Sequence, residues 1–121
     1  MATTIKRGQT FRGTINLRSK PDQNSVSEFP YAIPVGALIE VKFPGETTTV
    51  VLSTANVGEI TIIDSNQAKI SFDMPPAKSS LLLIGKNAAV NCVITDSSVS
   101  PATVDIFEAV KILTIEDPAN A

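Results

Sequence analysis

The side chains able to do chemistry in this chain are few and scattered. Histidine is absent and Cys92 is the only cysteine. That removes the commonest general base, the hydroxyl–imidazole triads and most catalytic zinc sites together. A single cysteine also excludes an internal disulfide and a cysteine-based zinc site. Cys92 lies at an inward position of the alternating stretch "AAVNCVITD" at 88–96, where a thiol ordinarily serves as a small buried hydrophobe rather than a nucleophile. The carboxylates are dispersed, and no D-x-D-x-D loop with a trailing glutamate is present, so no calcium hand is expected. Asp64, Asp73 and Asp96 each fall where a strand gives way to a turn, a place where aspartate caps its own backbone. "KRGQT" at 6–10 has one glycine and precedes a strand, so it is not a phosphate loop. Neither a cofactor, a metal nor a small-molecule substrate is expected, and the chain reads as a protein other than an enzyme.

The elements that would carry these residues have an ordinary soluble composition, 43% hydrophobic and 18% charged. With 121 residues, the chain suits one domain, 1–121, with one core. A net charge of −2, with no cation run longer than Lys6-Arg7, gives no footprint for nucleic acid or an anionic membrane. The longest apolar run, Leu81–Ile84, falls far short of the ~20 residues of a membrane span. No hydrophobic signal core opens the sequence, so folding in a cytoplasm is expected.

The dominant period is two. In "TIKRGQTFRGTINL" at 4–17 a basic turn leads into a strand with Phe11, Gly13, Ile15 and Leu17 on one face and Arg12, Thr14 and Asn16 on the other. A proline-rich loop or arm follows at 18–37. "LIEVKF" at 38–43 places Ile39, Val41 and Phe43 together, "PGE" marks a turn, and "TTTVVLS" at 47–53 returns. "EITIID" and "QAKISFD" flank a two-residue hairpin connection, "SN", with Asn66 suited to the left-handed region. "MPPAKSSLLLIGK" does not alternate. Pro76 suits a first helical position and Gly85 a stop, which predicts a short helix crossing between sheets. In 88–96, Val90, Cys92 and Ile94 face inward. The stretch 102–116 is long for one strand and is expected to bulge at Phe107–Ala109, with Val110, Ile112 and Thr114 facing one way. Leu113 and Ile115 then fall on the opposite face, covered by another subunit or by the protein's own arm. Residues 117–121 form a tail. About seven strands at this spacing predict an antiparallel sandwich or small barrel.

"Ile5-Lys6-Arg7-Gly8-Gln9-Thr10-Phe11" resembles the start of small immunoglobulin-like β-sandwich domains in tailed-bacteriophage structural proteins, of the baseplate and tail-fibre N-terminal type. The resemblance continues through "Val35-Gly36-Ala37-Leu38-Ile39-Glu40-Val41-Lys42-Phe43", "Pro76-Ala77-Lys78-Ser79-Ser80-Leu81…Gly85" and the final pair 88–96 and 103–115. Gln9 stands where the family usually has aspartate, and Ala109 where a glycine is common. The resemblance implies an antiparallel immunoglobulin-like β-sandwich, and a virion protein that packs against copies of itself and other virion structural proteins, as a tail or baseplate module. Gly8 would take a backbone angle that a Cβ resists. A capsid decoration protein is the alternative within that class. By the same analogy Lys6, Arg7 and the arm with Phe29 and Tyr31 would touch neighbours, as would Leu113 and Ile115. A carbohydrate-binding sandwich, using Tyr31 and Phe29, is the alternative of another class.

Overall fold

Among the described residues, eight strands and one helical turn follow one another: β1 Thr3–Lys6, β2 Phe11–Asn16, β3 Leu38–Phe43, β4 Val50–Ser53, β5 Ile60–Asp64, β6 Lys69–Met74, α1 Pro76–Ser79, β7 Gly85–Asp96 and β8 Thr103–Glu116. The structure is a computed structural model that describes residues 3–17, 33–65, 68–98 and 100–116. The strands form two sheets, β1-β8-β7-β3-β4 and β2-β6-β5, whose inner faces share one apolar cluster. The fold is therefore an all-β, sandwich-like arrangement with one short helix. It departs from a purely antiparallel sandwich in one place, because β1 runs parallel to β8, with Ile5 opposite Ile115.

That departure explains the opening residues. The first strand belongs to the large sheet and the second to the small one, so the chain must change layers between Lys6 and Phe11. Gly8 sits at this crossing with φ +87°, a region in which a side chain is strained. The Arg7 amide donates to the Glu116 carbonyl at 3.0 Å, and the Gly8 amide donates to Ser79 Oγ at 3.1 Å. Both bonds fix the turn against distant parts of the chain.

Alternation builds the interior as the sequence indicates. Ile39, Val41 and Phe43 of β3, Ile70, Phe72 and Met74 of β6, and Val90, Cys92 and Ile94 of β7 are all buried. At the centre, Phe11 and Phe72 of the small sheet meet Phe43 of the large one edge-on, with ring centroids 5.2–6.5 Å apart. Such geometry suits the ring quadrupoles. Gly13 lies opposite Phe72 in register, and a Cβ there would stand 2.8 Å from the ring's Cζ. The glycine leaves the space that the ring fills.

Two expectations need correction. The short crossing helix is present as one turn, Pro76–Ser79, but Gly85 opens β7 rather than stopping a helix. Beyond Ser80 the chain extends because Leu82 is drawn into the core, while the Glu46 amide donates to the Leu81 carbonyl and the Leu83 amide to the Pro44 carbonyl. The second correction concerns β8. Its bulge is present where expected: two steps along β7, from Val90 to Cys92, match four along β8, from Lys111 to Phe107. The inward face, however, carries Phe107, Leu113 and Ile115, whereas Ile112 is exposed. Pairing of Leu113 with Thr3 and Ile115 with Ile5 closes β1 alongside them.

Candidate functional site

The residues expected to touch partners separate into three groups. Leu113 and Ile115 are 0% and 1% exposed, covered by this chain's own core. Neither can meet a neighbour, which corrects the expectation for both. Arg7 binds its own chain: Nη1 donates to Glu46 Oε2 at 2.8 Å and to the Leu82 carbonyl at 3.3 Å. It clamps the layer-crossing turn to the turn after β3 and to the segment after α1. Lys6 lies half-buried on β1 opposite Glu116. Phe29 and Tyr31, with most of the arm and all of the tail, lie outside the described residues. The described end of the arm, 33–37, holds Gly36 at φ +76° and an Ala37 amide donating to the Pro34 carbonyl.

Among the groups with possible chemistry, Cys92 is fully buried, and loss of solvation pushes its thiol up to about 12. It is protonated at neutral pH and unreactive. Asp96 caps its turn as expected: the Ser98 amide and hydroxyl donate to Oδ1 at 3.0 and 2.6 Å, holding the carboxyl below its usual range. Asp73 does not cap a turn. Its Oδ2 instead accepts from Arg12 Nε at 3.1 Å across the β2–β6 pair. Among the described residues no group of three or more metal-ligating side chains converges.

Among the described residues Glu59 is the one buried carboxylate. Its Oε1 accepts from the Ser53 amide and from Asn56 Nδ2, both at 3.0 Å, and its Oε2 pairs with the Lys78 ammonium. Lys78 also donates to the Val51 carbonyl at 2.8 Å. Burial alone would raise this carboxyl, but the bonds from Lys78, Asn56 and Ser53 outweigh it and hold Glu59 below 4.5. Nothing in the local sequence announces this ion pair, since it joins the end of one loop to the helical turn that bridges the sheets. It is a structural fastener with every partner in place.

Three surfaces remain as candidates. The outer face of the large sheet carries aliphatic side chains in two rows that cross the strands: Val104–Thr95–Leu38, with a threonine at its centre, and Ile106–Val93–Glu40, which ends on a carboxylate. Val104 and Ile106 are 54% and 50% exposed and Leu38 is 36% exposed. Near the opposite end of the sandwich, beside Arg7 and Glu46, Leu81, Leu83 and Ile84 stand out around buried Leu82. The outer face of the small sheet differs in chemistry. Thr14, Ser71 and Thr61 align across its three strands, beside the Arg12–Asp73 pair, and line a groove of about 420 Å³. Comparison with models of protein families finds no match, and comparison with curated proteins finds none.

Proposed function

We propose that this chain is a non-enzymatic structural protein of a tailed-phage virion, acting as a tail or baseplate assembly module through packing against copies of itself and other virion proteins. The observation that supports this most is the outer face of the five-stranded sheet, where Leu38, Val104 and Ile106 stand exposed on neighbouring cross-strand rows shared with Thr95 and Val93. Aliphatic side chains aligned on a rigid strand pair provide desolvation on contact without an ordering cost. Repetition of a weak contact over many copies gives a tight assembly. The resemblance of residues 5–11, 35–43, 76–85 and 88–115 to phage sandwich domains supplies the virion setting. A capsid decoration role uses the same face in the same way.

The test has two arms. Genes for tail, portal or capsid proteins beside this one support the reading, and an operon of metabolic enzymes overturns it. Light scattering on the chain, alone and mixed with its neighbours' products, is expected to show an assembly that Ile106→Asp disrupts. An assembly unchanged by that substitution refutes the role given to this face.

A further inference from the structure

We propose that the Glu59–Lys78 pair guards the edge of the five-stranded sheet, occupying the backbone groups through which β4 would otherwise pair with β4 of a second copy of this chain. The inference goes beyond the packing role and does not depend on it, because it concerns the edge of the sheet rather than its outer face.

The ladder fixes which groups of β4 point outward. The Thr54 amide donates to the Ile39 carbonyl at 3.0 Å, and Val41 and Phe43 follow Ile39 at alternate positions, opposite Leu52 and Val50. Backbone groups in an antiparallel ladder alternate sides. Leu52 and Val50 therefore direct theirs toward β3, while Val51 and Ser53 turn theirs away from it. Among the described residues β4 is the last strand of its sheet. Its sequence, Val-Val-Leu-Ser, has neither a charge nor a proline, and such an edge is a template for another strand.

The ion pair takes the place of that strand. Lys78 Nζ donates to the Val51 carbonyl at 2.8 Å, and Glu59 Oε1 accepts from the Ser53 amide at 3.0 Å. In a parallel ladder, one residue of a neighbouring strand donates and accepts across this same i, i+2 spacing. Two oppositely charged side chains, joined to each other, stand in for one residue of a strand. The Ser53 carbonyl, a third outward group, accepts from the Asn56 amide at 3.1 Å. The guard is anchored outside the sheet that it closes: the Glu59 carbonyl accepts from the Asp73 amide of β6 at 2.9 Å, and Lys78 projects from α1. The edge strand of the small sheet that follows Glu59, β5, is interrupted by a register shift between Ile62 and Asp64, another device that spoils an edge for pairing.

Symmetry identifies the occupant. When two β4 edges meet antiparallel about a two-fold axis at Leu52, Val51 of each copy lies opposite Ser53 of the other. The Ser53 amide of each then donates to the Val51 carbonyl of its partner. The two groups that Glu59 and Lys78 occupy are complementary to each other across that axis, so a second copy of this chain is what the freed edge fits.

The experiment is sedimentation velocity over a range of concentrations, on whole chains that all carry Ile106→Asp so that the outer face does not contribute. The double variant Glu59→Ala, Lys78→Met frees both groups and is expected to dimerise about a hundredfold more tightly than its parent. Hydrogen exchange at its Ser53 amide is expected to slow as concentration rises. Lys78→Met alone frees only the Val51 carbonyl; it is expected to gain about tenfold, and it decides the question should the double variant fail to fold. Leu113→Ala, weakened in the core with the edge closed, is expected to associate no more than the parent. A folded, opened variant no more associated than its parent, a dimer whose Ser53 exchange is indifferent to concentration, or equal association of Leu113→Ala would overturn the proposal.

Discussion

Removal of the Glu59 charge is the sharpest probe of how this small sandwich holds together. In Glu59→Gln the side-chain oxygen can still accept from the Ser53 amide and from Asn56, so shape and acceptor are kept. What is lost is charge. Two charge-assisted bonds, each contributing about 1.5–3 kcal/mol, fall to the neutral range of about 0.5–1.5 kcal/mol. Lys78 loses its anion as well, although it is 30% exposed, so water and the Val51 carbonyl recover part of that loss. The expected destabilisation is about 2 kcal/mol, and about 3–4 kcal/mol for Glu59→Ala, which also leaves the buried Ser53 amide without its acceptor. For a domain of this size each kcal/mol lowers Tm by about 3–5 °C. Urea unfolding of Glu59→Gln, Lys78→Met and the double variant closes a cycle whose coupling energy should be about 1–2 kcal/mol at pH 7.

Acidity gives the sign of the effect. The folded state holds Glu59 below its ordinary 4.5, so its contribution is fully present above that value. It is lost as pH falls through the lower folded value, because protonation then comes more easily to the unfolded chain. The gap between wild type and Glu59→Gln should narrow on acidification below 4.5 and stay constant between pH 6 and 8. A coupling energy within about 0.3 kcal/mol of zero at pH 7, or a gap indifferent to acid, would refute the account of Glu59 as a charged fastener.

Other outcomes test the rest of the fold. Leu113→Ala, at a fully buried position, should cost about 2–5 kcal/mol in denaturant unfolding, where a residue waiting for a partner would cost almost nothing. Gly13→Val should lose about 1–3 kcal/mol through overpacking against Phe72; partial relief in Gly13→Val, Phe72→Leu would identify the ring as the cause. Arg7→Ala removes a half-exposed ion pair and one carbonyl contact and should lower stability by only about 1 kcal/mol. Cys92 should resist a thiol reagent in the native protein and react once urea unfolds it, since burial pushes the thiol up to about 12; rapid native labelling would contradict its place in the core.

Much of the interior was legible because period two is a local signal. Ile39, Val41 and Phe43, or Val90, Cys92 and Ile94, announce their shared face within one strand, and burial follows. Pro76 at the first helical position and Gly8 at positive φ were legible for the same reason: each states a backbone preference that neighbours need not explain. The phase of β8 was harder. Apolar residues on both sides of its bulge leave alternation without a preferred face, and the choice depends on β1, which pairs from the far end of the chain. No local pattern reports a parallel partner more than a hundred residues away. The run Leu81–Ile84 misled in another way: its leucines favour a helix, but Leu82 fills the core only when the segment extends beside Pro44–Glu46. The candidate surfaces were illegible until register aligned their members, as with Thr14, Ser71 and Thr61 on separate strands.

The strand pair β7–β8 carries apolar residues on both of its sides, next to its bulge. On the inside, Cys92 lies opposite Phe107; one residue along each strand, on the outside, Val93 lies opposite Ile106. Four apolar positions in so short a stretch would ordinarily mark a strand buried on both faces. Here only the inner face is buried, so the outer pair contributes little to the stability of the isolated chain. Because the two extra residues of β8 are inserted beyond Phe107, the regular pairing from Cys92 to Asp96 is kept apart from the pairing that holds β1. A scaffold divided in this way allows its exposed face to vary while its core stays fixed.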